Sequence, residues 1–551
     1  MAIDKKITRR HLVTLLSQLT AGLSLLTLNS ISRASGIKTQ AADSSPIKGT
    51  SIFDCIIIGA GVSGLTVAQQ LKSKSVLILE SSNRIGGRIF TDRSSFSRQI
   101  ERGAEFVHID PLVAPLWRDL YKYTLKVKSL TKTDGYIYHP EIKKTKAKGT
   151  ISAAFKWGII NALTVFNSIK YKGKVDISAQ EYLEKFKQEE NPSQLSYDFR
   201  RMILSGHLGA PEELLSMKGF YTDHISEQLE PNMEYYVRNG YGTLIDNLSV
   251  DQKILTNQKV QKVIRIGDVY TIETQGGESY RARSICYSAS VGVLKNNAIE
   301  FVPALPQSKL AAIAHLEMSH HTKIQLEFSR AFWPKDMSML NRADQGRRVG
   351  KTYFVPHTEN KEAPPMLTAL IMGHDAIKLY TQDEDKIIRD ICLDLQECLP
   401  KGGDVYDLLN RTAEGKPAVT ITQWFDNPHT KGGISYIKKD LNNELSVKEV
   451  RSTYASSYET PGLFWAGEAA AIYEQPASVH GAHSAGLRAS IEIQNFLDGM
   501  PALDSKKLAK AYHQKFGVKN QMKWFSNITR TSSGYFDDEN SWYERFASLL
   551  Y

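Results

Sequence analysis

Cysteine is scarce. The 551 residues hold four, Cys55, Cys286, Cys392 and Cys398, and none of them forms a CxxC pair. A disulfide framework is therefore not indicated, and buried free thiols are the expectation, because two of the four sit inside apolar, strand-like runs. A Cys392 to Cys398 bridge needs a loop that brings the two together. Metal-ligand spacing is absent, and so are a nucleophile elbow and an acid–base dyad. No internal repeat is evident. Long blocks of one charge are missing as well: the formal charge is +10, but Lys and Arg are scattered. That pattern reads as a solvated surface, so nucleic acid is not an expected partner. What is present is a chain with 42% hydrophobic and 23% charged residues. It is globular rather than disordered, and long enough for two or more domains.

The first 34 residues read as an export signal. A basic start (Lys5, Lys6, Arg9, Arg10) leads into an apolar stretch from Leu12 to Leu28 and then Ser32, Arg33 and Ala34, where cleavage fits. Thr8, Arg9, Arg10, His11, Leu12 and Val13 resemble the twin-arginine pattern, which carries folded cargo into the periplasm. Ordinary secretion and an uncleaved anchor are the alternatives. The charges of this segment sum to +4, leaving about +6 for a product that starts after Ala34. Residues 35–50, rich in Ser, Ala, Lys and Thr, read as a flexible leader.

The strongest signal follows. Phe53 to Ile58 is a nearly continuous apolar run, the mark of a strand buried on both faces. It feeds into Gly59-Ala60-Gly61-Val62-Ser63-Gly64. Gly59 permits the tight turn, Gly61 lets backbone approach a pyrophosphate, and Gly64 lets the next helix, Leu65 to Leu71, pack on the strand. Ser63 lies in the same turn. A second strand, Ser75 to Leu79, ends at Glu80, 21 positions after Gly59, where a carboxylate can accept from ribose hydroxyls. NAD satisfies the same fingerprint. What separates the two cofactors is Ser81 to Arg88, with Arg84, Gly87 and Arg88, which resembles the second glycine-rich stretch of the flavin amine oxidase superfamily, around an FAD diphosphate.

That resemblance runs from about 53 to 497. Gly103-Ala104-Glu105-Phe106-Val107-His108 is similar to the family's segment beside the flavin, although Ile109 stands where glycine is usual. Tyr236 to Leu244 resembles the element before the middle FAD segment, and Val260 to Val263 the strand that meets the adenine. His320 to Phe328 alternates like a strand, and the family's lysine, which holds a water against the flavin N(5), matches Lys323. The stretch from Trp424 to Tyr436 resembles polyamine oxidases. So does Gln475 to Arg488, with Ser478 and Val479 opening a helix, and it shares this character with histone lysine demethylases; Gly467 and Glu468 close the preceding strand. By position, His108 lines the substrate cavity; as a bare histidine it can equally be structural.

The resemblance implies an α/β fold. A discontinuous Rossmann-like FAD-binding domain with a parallel doubly wound sheet is assembled from 51–125, 236–302 and 440–500, and an α+β substrate-binding domain from 126–235 and 303–439. Residues 501–551 form a C-terminal helical extension, whose Trp524, Tyr535, Trp542, Tyr543 and Phe546 read as packing aromatics. Ala153 to Tyr171 is apolar but short and interrupted by Lys156, Asn161 and Asn167, so it reads as a helix of the substrate domain, with membrane contact left open. The implied chemistry is hydride removal from the carbon beside an amine nitrogen. The imine is hydrolysed to a carbonyl compound, and dioxygen is reduced to hydrogen peroxide. The partners are a small-molecule amine and dioxygen. Ile434 stands at the cysteine position of flavin-bonded relatives, so FAD is expected to be noncovalent; Gln475 replaces a cage tyrosine, with Tyr473 close by. Lys323 is expected to favour neutral substrate by disfavouring a second cation. An L-amino-acid oxidase and an exported flavoprotein without turnover are the alternative readings.

Overall fold

The apolar run after the leader forms β1 (Ile52–Ile58), buried from Cys55 onward. It ends at Gly59, whose φ of +107° is open to glycine at no steric cost. The chain then enters α1 (Val62–Gln70), which begins three residues before the Leu65 expected from the apolar pattern. Extended Gly61 is its N-cap, so Ser63 and Gly64 already lie in the first turn. β2 (Val76–Leu79) returns parallel to β1.

The computed structural model describes residues 51–107, 115–116, 120, 127–129, 134–139, 145–146, 176–224, 235–237, 239–342, 344, 348–349, 352–356, 358, 360, 362–439 and 445–517. The export signal at 1–34, the leader at 35–50, the Ala153 to Tyr171 stretch, His108, Ile109 and the extension after residue 517 lie outside the described residues. Among those that are described, no helix is long and apolar enough to cross a membrane.

Past β2 the chain runs through β3 (Asp134–Tyr138), β4 (Thr145–Lys146), α2 (Gln194–Leu208) and α3 (Met217–His224). It then supplies β5 (Ile254–Leu255), β6 (Val260–Ile266), β7 (Val269–Thr274), β8 (Ser279–Tyr287) and β9 (Glu300–Val302). Next come β10 (His321–Glu327), β11 (Met337–Arg342), β12 (Thr352–Phe354), β13 (Met366–Met372), α4 (Glu384–Cys398) and β14 (Val419–Gln423). The last described elements are β15 (Leu463–Trp465), α5 (Val479–Leu497) and α6 (Ser505–Phe516).

Two sheets result. The first has the order β5-β2-β1-β8-β7-β6-β9, with β15 also on β8. Its centre is parallel, β5, β2, β1, β8 and β15, and the β6-β7-β8 meander is antiparallel. Apolar side chains fill both faces, with Ile57, Leu65 and Ile493 on one side and Ile56, Ile285 and Trp465 on the other. This is a Rossmann-like α/β sheet whose strands come from three separated stretches of chain. The second sheet, β14-β10-β13-β12-β11-β3-β4, packs its own core against α4 through Ile324, Leu367 and Ile391. β10 lies inside it, between β13 and β14, so it is buried almost throughout rather than on alternate residues.

α6 is capped by Asp504, which accepts from the Lys507 N–H, and it docks on α5 through Tyr512, Phe516 and Leu487. All four cysteines are buried free thiols.

Candidate active site

The nucleotide end is built from backbone. A Cβ on Gly64 would stand 2.2 Å from the Gly59 carbonyl oxygen and 2.6 Å from Ser288 Oγ, so only glycine lets α1 lie this close to the sheet. A Cβ on Gly61 would meet nothing within 4 Å. The N-terminus of α1 has no side-chain cap, which leaves its first-turn N–H groups for an anion. Glu80, buried at the end of β2, accepts the Ala60 N–H at 2.8 Å through Oε2 and the Ser82 N–H at 2.9 Å through Oε1. It fixes the turn and still has lone pairs for ribose hydroxyls. The Gln258 N–H reaches the Glu80 carbonyl at 2.8 Å, which brings the start of β6, with buried Val260, alongside.

The second glycine loop lies against the first. The Gly86 N–H donates to the Ala60 carbonyl at 2.8 Å, and Gly87 has φ +57° with its open side toward Gly61. Arg84 does not reach outward: its guanidinium donates to the carbonyls of Ile85, Gly87 and Ile89 and lies over the Phe90 ring, so it shapes the loop. Arg88 donates to the Gly433 carbonyl and to Glu468 Oε1, both at 2.8 Å. Glu468 also accepts from Ser435 Oγ at 2.6 Å, and behind it buried Arg451 pairs with Asp223 of α3 at 2.7 Å. Burial alone raises the Glu468 pKa, but Arg88 and Arg451 outweigh burial and hold it below the ordinary value. Gly467, at φ +91°, donates its N–H to Ser63 Oγ at 2.8 Å.

Gly103 joins the two halves. A Cβ there would stand 2.0 Å from the Arg88 carbonyl oxygen, and the Ala104 N–H donates to the same oxygen at 3.0 Å. Trp424 closes the far side, with its indole N–H on the Arg102 carbonyl at 3.1 Å. From β10, Lys323 enters this loop: its ammonium donates to the Gly103 carbonyl at 3.0 Å and to Glu105 Oε2 at 2.5 Å. Lys323 is 6% and Glu105 11% side-chain exposed, so little water screens the pair. Beside it, desolvation raises Glu101 to about 7, against hydrogen bonds from Thr91 and the Tyr241 N–H.

Two expectations change. Lys323 is paired, so it adds no net positive charge against a cationic substrate; Glu105 is its partner, a role that no local signal in the sequence marks, because the two lie 218 residues apart. Tyr473, close to Gln475 in the sequence, packs its ring on Tyr512 of α6, centroids 4.5 Å apart, and on His513. Ser478 spends its hydroxyl as the α5 cap, donating to the Gln475 carbonyl at 2.7 Å and accepting the Gly481 N–H at 2.9 Å; Val479 follows as the first helical residue. The residues read as cofactor-binding otherwise gather around the two loops, while His108 lies outside the described residues.

Comparison with known proteins extends these observations. The sequence model for flavin containing amine oxidoreductases matches residues 62–494. Polyamine oxidase 4 of Oryza sativa subsp. japonica is 27% identical over 483 residues, covering 84% of this chain and 93% of that protein. Probable polyamine oxidase 4 of Arabidopsis thaliana is 28% identical over 469 residues, 80% and 87% of the two chains. Among solved structures, cyclohexylamine oxidase from Brevibacterium oxydans shares the fold with a TM-score of 0.67 at 18% identity, over 81% of this chain and all of that one (100%).

Proposed function

Because the chain belongs to the flavin containing amine oxidoreductase family, we propose that its substrates are polyamines or related alkylamines, oxidised at a site formed by the Gly103 to Glu105 loop and β10. It is an FAD-dependent oxidoreductase acting on amines. The observation that carries the site is the junction at Gly103: one tight loop packs on cofactor-loop residue Arg88 and receives Lys323 from the second sheet. The curated relatives above, polyamine oxidases by name, support the substrate class.

The residues fit the cofactor. Two facing glycine loops, an uncapped helix N-terminus and a carboxylate at the end of β2 make the donor and acceptor set a dinucleotide needs. The chemistry that bound FAD would supply is acceptance of a hydride from the carbon beside the amine nitrogen and return of the two electrons to dioxygen, giving hydrogen peroxide. The protein supplies position and a dry environment. Gly61, Gly87 and α1 would hold the diphosphate and Glu80 the ribose, with Trp424 and Gly103 beside them. Lys323, held by Glu105, keeps an ammonium at a fixed place without excess charge. Water then hydrolyses the imine.

The cofactor is held noncovalently in this proposal. Ile434 supplies no thiol, and burial pushes Cys55, Cys392 and Cys398 up to about 12 and Cys286 well above the ordinary thiol value, leaving no thiolate at neutral pH. Acid precipitation should leave yellow FAD in the supernatant; a yellow pellet contradicts it. The proposal also includes export, supported by Arg9 and Arg10 ahead of an apolar stretch. Replacing both with Lys should keep the precursor in the cytoplasm, and unchanged export would argue for the general route. The reaction itself is tested by adding putrescine, spermidine, cyclohexylamine and a set of L-amino acids without oxygen. Bleaching of the flavin by an amine supports the reading; bleaching by amino acids alone, or by nothing, rejects it.

A further inference from the structure

His321 opens β10 two residues before Lys323, so both side chains leave the strand on the same side. Its ring lies in a slot that two glycines make. A Cβ on Gly209 would be 2.3 Å from Cε1 and 2.7 Å from Nδ1, and one on Gly433 would be 2.6 Å from Nδ1 and 2.8 Å from Cγ. Gly209 can serve there because it ends α2 at φ +62°. The slot is tied to the cofactor side, since the Gly433 carbonyl accepts from Arg88 and the Trp424 N–H donates to the His321 carbonyl at 2.9 Å.

Hydrogen bonding fixes the tautomer. Ser319 is fully buried; its Oγ accepts the Ile434 N–H at 2.9 Å and lies 2.7 Å from His321 Nδ1. A serine has one hydroxyl hydrogen, and among the described residues Nδ1 is the acceptor it can reach. Nδ1 is therefore bare and Nε2 carries the hydrogen. Nε2 has no partner among the described residues, and the residue keeps part of its accessible surface. Desolvation, with a smaller effect of His320, lowers this imidazole to about 3, so it stays neutral at any working pH. The charged groups around it are Lys323, balanced by Glu105, and His320, itself lowered to about 4 mainly by burial with Glu317 and Asp426 opposing.

We propose that His321 determines specificity for the uncharged form of the substrate, its Nε2–H donating to the nitrogen lone pair of a free amine. An alkylammonium has no lone pair to accept, so this donor turns it away. His321 is not a general base, because its basic nitrogen is closed by Ser319. The selection that a bare Lys323 was expected to exert thus passes to a neutral group. This inference rests on the amine-oxidising function. The donor acts in binding and must release the lone pair before the C=N bond forms, so its loss weakens affinity without slowing the chemical step, which can only quicken.

The test is anaerobic flavin reduction followed by stopped flow with spermidine or cyclohexylamine, whichever bleaches the wild-type protein, across a concentration series. His321→Leu should raise the dissociation constant about 10-fold with the limiting rate at or above that of the wild type, and His321→Gln, whose amide can donate, should recover much of the affinity. Ser319→Ala frees Nδ1 to take the hydrogen and should move the constant toward that of His321→Leu. Should His321→Leu fail to load FAD, the Gln and Ser319→Ala variants decide. Wild-type affinity in His321→Leu, or in Ser319→Ala, overturns the proposal, as does an equal loss in rate and affinity. A wild-type flavin that no amine bleaches would instead reject the amine reading itself.

Discussion

The nucleotide end and the β10 face meet at Gly103, yet they are made differently. Around Gly59, Gly61, Gly64, Gly86 and Gly87 the site is nearly all backbone: turns, a helix N-terminus and close approaches within about thirty residues of sequence. At β10 it is side chains that meet across the chain, Lys323 with Glu105, His321 with Ser319 in a slot from Gly209 and Gly433. Backbone geometry tolerates few residue types, so the first region announces itself. Ion pairs and slots can be met by many combinations, so the second does not. From the nucleotide end a chain of polar groups, Arg88 to Glu468, Ser435, Arg451 and Asp223, runs on to α3.

The largest effect is expected at the backbone end. In Gly64→Ala the new methyl meets the Gly59 carbonyl at 2.2 Å, and that oxygen cannot rotate away. α1 must lift from β1, at a cost of about 3 kcal/mol or more. The expected outcome is protein that is largely insoluble or free of FAD. Normal yield and flavin content would mean that the loop has slack and that the contrast between the regions is overstated.

Lys323→Met comes next. Removing one group that holds charge near the reacting atoms should slow a flavin half-reaction ~10 to 1000-fold. It also leaves the Glu105 carboxylate unpaired, so thermal stability should fall as well. Lys323→Met/Glu105→Gln separates the two effects, since it removes the stranded charge. Stability should return while the rate does not. A double variant with wild-type half-reactions would reduce Lys323 to an ordinary strand residue.

This pairing shows what could be read from the sequence. The parallel sheet, the strand–turn–helix at Gly59 and the acid at Glu80 follow from local pattern, and the structure places each within a few residues. Lys323 was legible by resemblance and strand pattern. Its partner was not, because Glu105 sits among loop residues that the sequence assigns to the cofactor and nothing local points to β10. Where the Tyr473 ring goes was not legible either, because it depends on the docking of α6. Arg84 looked like a phosphate ligand by resemblance, but three carbonyls within five residues claim it.

A smaller effect tests the charge environment of the β10 side. Burial raises Glu101 from 4.5 to about 7 in the folded protein. Between those values the folded state keeps a proton that the unfolded chain has lost, so this group favours folding fully below about 4.5 and its contribution fades as pH rises to about 7. Glu101→Gln holds the neutral form permanently. The variant should lose this part of the decline in melting temperature across that window. An unchanged slope would mean that Glu101 is ionised throughout.

The smallest structural effect should come from Gly61→Ala. Gly61 has φ −77°, which alanine adopts freely, and its Cβ direction is empty to 4 Å. The fold gives no reason for glycine here, in contrast to Gly64 three residues on. The reason lies with the ligand: the pyrophosphate must approach the backbone at this turn. The variant should melt within about 2 °C of wild type as apoprotein, because a surface-facing methyl without a clash changes little. Its affinity for FAD should fall by about 10-fold, the size of a lost close contact. Titrating FAD into the two apoproteins by flavin fluorescence measures the difference. Equal affinities would show that the dinucleotide passes elsewhere, and the empty space beside Gly61 would lose its meaning as the cofactor's path.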